Sequence, residues 1–60
     1  MEFVLKKYIV KNNTTNRAFE VEHWGEISLD TVWQSVSNFF LLGSNVTIIN
    51  ESGESKTFSK

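Results

Sequence analysis

Acid and imidazole side chains cluster once in this sequence, at Glu20, Glu22, His23 and Glu26. A general acid–base pair needs two titratable groups aimed at a common point. The surrounding run RAFEVEHW alternates apolar and polar residues, so 17–24 is expected as a strand. On a strand, neighbours point to opposite faces, so Glu22 and His23 do not converge. Metal binding through His23 and the carboxylates lacks a supporting ligand spacing. His23 is read instead as a half-buried strand-end residue beside Trp24. The chain has no cysteine, which removes thiolate chemistry and disulfides, and a single histidine, which removes a histidine-rich metal site. The expectation is a protein that is not an enzyme, with no catalytic residue, no metal site and no cofactor.

A second constellation is basic. Lys6, Lys7, Tyr8, Lys11 and Arg17 place cations around one aromatic. Basic strands can follow phosphates while aromatics stack on bases, so nucleic-acid binding through the first strand and hairpin is the alternative function. Against it, four cations are few on a chain of net charge −1, and phosphate contacts weaken with salt. Lysine at a strand edge also discourages aggregation. Residues 18–30 carry Glu20, Glu22, Glu26 and Asp30 and no cation. Cross-strand pairing of this acidic segment with the basic one is the simpler expectation. Presentation of the carboxylates to a basic partner is a minor variant of protein binding.

The third constellation lacks charge altogether. Between Asp30 and Glu51 there is no ionised side chain, yet Trp33, Phe39, Phe40, Leu41, Leu42, Ile48 and Ile49 lie there. Charged residues normally keep a small protein dispersed, so this segment is expected to hold the core and a surface that meets another molecule. Gln34 and Asn38 are polar but neutral, and neutral polar faces suit interface cores, which are depleted in charge. Gln34, Asn38, Leu41 and Leu42 are therefore the candidate partner-binding residues.

These residues need positioning elements. Residues 2–11 read as a strand rich in β-branched and aromatic side chains. Its phase is ambiguous: Phe3, Leu5 and Ile9 share one parity, and Val4, Tyr8 and Val10 the other. Either a bulge near Lys6–Lys7 switches faces, or both faces are partly covered. Asn-rich 12–16 reads as a hairpin turn. Ser28 is a good N-cap for a helix over 29–42, with Asp30 in its first turn. Leu29, Val32, Val36 and Phe40 fall with Trp33 and Phe39 on one stripe about 120° wide. Gly43 is placed to end the helix in a left-handed conformation. Residues 45–50 read as a third strand, 51–54 as a turn and 55–59 as a short fourth strand. The expected fold is α+β, a single small domain in ββαββ order, with one helix on an antiparallel sheet of three or four strands. Phe3, Leu5, Phe19, Val21, Trp33, Val36, Phe40 and Ile48 are expected to share the core.

Sixty residues make one domain at most. A chain this short buries only about 60% of the surface its unfolded form exposes. Without disulfides or metal, the remaining support is a well-packed aromatic core or a second subunit, and a homodimer is expected. No signal peptide or membrane span is apparent, and the lack of cysteine fits the cytoplasm. Alanine and arginine occur once each and proline never, while Asn, Lys, Phe and Ile are frequent. That usage suits AT-rich coding DNA of a low-GC bacterium or one of its phages. The functional expectation is thus a small protein-interaction module, phage- or mobile-element-encoded, that inhibits or modulates a host protein in the host cytoplasm.

Overall fold

A computed structural model describes residues 4–60. Strand β1 runs Leu5–Asn12 and β2 runs Arg17–Trp24. Helix α1 spans Leu29–Val36 and continues as a 3-10 turn, Ser37–Phe39. Strands β3, Asn45–Ile49, and β4, Ser55–Ser59, complete the chain. The four strands form one antiparallel sheet in the order β2-β1-β3-β4, and α1 packs over β3 and β4. This is the expected ββαββ arrangement with its fourth strand formed.

The ambiguous phase of β1 resolves without a bulge. Its register with β2 is continuous from Leu5↔Trp24 to Asn12↔Arg17. Tyr8 and Val10 face the helix and are buried, joined by Val32, Val36, Phe40, Val46 and Ile48. Leu5 has the opposite parity and lies outside this core, a correction to its expected place; Phe3 lies outside the described residues. Each parity of the strand carries three apolar residues, so composition alone does not choose between them. Tyr8 wins because its hydroxyl finds partners: it accepts from the Ile27 N–H at 3.1 Å and donates to the Ile27 carbonyl at 3.3 Å. A buried phenol with both bonds made carries no desolvation debt.

An aromatic row crosses the helix side of the sheet. Phe19 on β2 stacks on Phe40 at 6.1 Å between centroids, Phe40 on Trp33 at 5.9 Å, and Trp33 on Phe58 of β4 at 5.3 Å. Offset stacking of this kind adds about 0.5–1.5 kcal/mol per pair beyond area burial. Val36, Phe40 and Ile48 are buried as expected, and Val21 and Trp33 pack against the core half-buried; Phe19 is exposed, a correction to its expected place, because β2 is an edge strand that α1 does not cover.

The helix begins as its sequence predicts and ends early. Ser28 Oγ accepts from the Thr31 N–H at 3.2 Å, and Asp30 lies in the first turn. Regular helix stops at Val36 instead of Leu42, and Phe40 is extended. The extended backbone turns the Phe40 ring into the core between Phe19 and Trp33. The Lys60 ammonium then donates to the carbonyls of Ser37, at 2.7 Å, and Phe40, at 2.9 Å. The Ser37 carbonyl also accepts from the Phe40 N–H at 3.1 Å, and a cation at this end of the helix is favoured by its dipole. Gly43 does take a left-handed φ of 91°, but it serves the loop after the turn, donating its N–H to the Lys60 carbonyl at 2.7 Å.

Candidate functional site

The early end of α1 decides where the neutral segment goes. Val32, Val36, Phe40, Val46 and Ile48 enter the core. Phe39, Leu41 and Leu42 do not: they are 78%, 84% and 87% exposed. Phe40, extended at the end of the 3-10 turn, points inward, while Phe39 within that turn and Leu41 and Leu42 beyond it stay out. The chain is held in this posture at both ends. Lys60 grips the carbonyls of Ser37 and Phe40, and the Ser44 N–H donates to the Leu41 carbonyl at 3.1 Å.

Opposite this apolar lip stands the tip of the β1–β2 hairpin. Asn12 Oδ1 accepts from the Thr14 N–H at 2.9 Å, and Asn16 closes the turn at a φ of 59°. Asparagine tolerates that left-handed angle better than most residues. The tip is tied to β3: Asn13 Nδ2 donates to Asn45 Oδ1 at 2.8 Å and Thr47 Oγ1 at 2.9 Å, and the Asn45 N–H donates to Thr14 Oγ1 at 3.2 Å. Between lip and tip lies an open groove of about 330 Å³ lined by residues of 12–15 and 39–44. Neither side of the groove carries an ionised side chain. Leu41 and Leu42 line it. Gln34 and Asn38 are exposed on α1 and the 3-10 turn but are not part of the groove wall. Phe39 and Phe40, which sequence reasoning placed on the helix stripe, line the groove as well, and Phe39 stands exposed there only because the helix ends early.

The basic constellation is split by the pleat. Lys6 and Arg17 lie on the helix side with Tyr8, and Lys7 and Lys11 on the other face. Tyr8 is buried, so no face of its ring is open to a base. Lys7 approaches Glu20 at 4.0 Å and pairs in register with Glu22. Its backbone N–H donates to Glu51 at 2.7 Å. Basic and acidic segments therefore meet across β1 and β2, the simpler of the expectations for them.

Glu22 and His23 occupy opposite faces, as the strand requires, and His23 is exposed rather than half-buried. Among the described residues, no group of three or more His, Cys, Asp or Glu could hold a metal ion. A crevice beside Lys6, Tyr8 and Glu26 measures about 10 Å³, room for about one water. No helix is long and apolar enough to cross a membrane among the described residues. No family model, curated relative or solved structure matches the chain.

Proposed function

We propose that this chain is a small non-enzymatic protein-interaction module that docks a protein partner through the groove between its hairpin tip and the 39–44 loop. The observation that carries the reading is the exposure of Phe39, Leu41 and Leu42 side by side on a backbone held at both ends. Scattered apolar residues on a surface need no explanation, but a contiguous patch rimmed by polar groups marks an interaction site. Anchors of this kind, with neutral Asn and Thr opposite, can exclude water without stranding a charge. Gln34 and Asn38 then belong to the outer rim of the contact rather than its floor.

The same reading includes a second copy of the chain as a partner, since a domain this small gains stability from self-association. The composition supports a phage or mobile-element origin, with a host protein in the host cytoplasm as target. Replacing Leu41 and Leu42 together with serine tests the proposal. The variant is expected to fold and to lose capture of a host protein that the parent chain retains. Equal capture by both chains overturns it.

A further inference from the structure

We propose that two copies of this chain join through the free edge of β4, antiparallel about a two-fold axis at Thr57, to form one continuous eight-stranded sheet. This rests on the second-copy part of the functional reading and specifies where that copy sits.

The β3–β4 ladder fixes which backbone groups of β4 point outward. The Asn50 N–H donates to the Glu54 carbonyl, and the Lys60 N–H donates to the Ser44 carbonyl. Both pairs continue the β3–β4 register, Asn45↔Ser59 to Ile49↔Ser55. Hydrogen-bonded pairs alternate along an antiparallel ladder. Residues 54, 56, 58 and 60 therefore face β3, and Ser55, Thr57 and Ser59 turn their N–H and carbonyl groups to the open edge.

That edge complements itself. Thr57 opposite its own copy places Ser55 opposite Ser59 and gives about six backbone hydrogen bonds across the axis. On the helix side, the same register sets Lys56 opposite the second copy's Phe58. Lys56 already lies 5.5 Å from the Phe58 ring centroid of its own chain, so the pair is chemically compatible. The aromatic row ends at Phe58, so the two rows meet at the junction. With α1 seated over β3 and β4, the two helices ride about 10 Å apart, two strand spacings, at the separation of roughly 8–10 Å that packed helices adopt. Nothing in their placement opposes the pairing.

The other free edge is unsuited to a second copy. By the same ladder argument from the Gly25 N–H bond to the Val4 carbonyl, β2 turns Ala18, Glu20, Glu22 and Trp24 outward. The two registers that pair most of β2 with itself set Glu20 against its own copy or against Glu22, and like charges directly opposite are destabilising.

Amide exchange measured at several protein concentrations tests the inference alongside sedimentation. Ser55, Thr57 and Ser59 amides are expected to become protected as the dimer forms, while those of Lys56 and Phe58 are protected throughout. Thr57→Pro removes an outward N–H that β3 does not use, and weakens self-association by about tenfold or more, from two lost hydrogen bonds. A dimer in which 55, 57 and 59 exchange freely overturns the β4 edge and leaves a second copy seated elsewhere. A monomer at every concentration overturns the second copy altogether, leaving the groove as a site for another protein.

Discussion

The Tyr8 hydroxyl and the Ile27 peptide hold each other twice, with the hydroxyl accepting from the N–H at 3.1 Å and donating to the carbonyl at 3.3 Å. One side chain from the middle of β1 thus fixes the segment that leads into α1. Removing the hydroxyl strands two partly buried backbone groups. Tyr8→Phe is expected to lose about 1–3 kcal/mol of unfolding free energy, measured by urea denaturation. The fold itself persists, because the ring stays in the core. A change within a few tenths of a kcal/mol would show that water replaces the hydroxyl at no cost.

Lys60 lies at the far end of the chain and terminates a helix that begins at Leu29. Lys60→Met keeps the aliphatic stem and deletes the charge. The expected loss is about 1 kcal/mol, and faster amide exchange over 39–44 is expected to accompany it. Loss of stability without that local change would mean the ammonium acts elsewhere.

This contact also explains what the sequence could and could not reveal. Element order, the Ser28 cap, the Asn-rich turn and the inward parity of β2 follow from local chemistry, and each is present. The helix end does not. A stripe from Leu29 to Phe40 fits a continuous helix as well as the observed one, and only Lys60 and the stack on Phe19 select the early exit. The phase of β1 was hidden for a similar reason. Both parities are apolar, and the choice fell to the hydroxyl of Tyr8, whose partner is 19 residues away. The candidate site inherits this: Leu41 and Leu42 stand out by composition, whereas Phe39 joins them only because Phe40 turns inward.

Phe40 sits between two rings in the aromatic row. Phe40→Leu keeps the site apolar but is smaller and ends both stacks. An expected cost of about 1–3 kcal/mol follows from the lost stacking and imperfect repacking. Thermal unfolding followed by tryptophan fluorescence reads the result through Trp33. An unchanged midpoint would show that the row is a geometric coincidence with no energetic weight.

The exposed face of the groove makes the opposite prediction about stability. Leu41→Ser with Leu42→Ser removes side chains that are mostly in water, so unfolding free energy is expected to change by no more than about 0.5 kcal/mol. Denaturation in urea separates this from the alternative in which the leucines fold over the core. A loss of several kcal/mol would place them there and remove the groove as a docking surface.

Nucleic-acid binding would need Lys6, Lys7, Lys11 and Arg17 to act together, with Tyr8 open to a base. The pleat sends Lys6 and Arg17 to one face and Lys7 and Lys11 to the other, and Glu20 stands 4.0 Å from the Lys7 ammonium. Tyr8 could reach a base only by leaving Ile27 and the core. Electrostatic binding to phosphates is strongest at low salt. Fluorescence anisotropy of a labelled single-stranded oligonucleotide is therefore expected to stay flat at low salt as protein is added. A rise that disappears at higher salt, and that a Lys7→Gln, Lys11→Gln variant lacks, would establish the lysine face of β1 as a phosphate-binding surface.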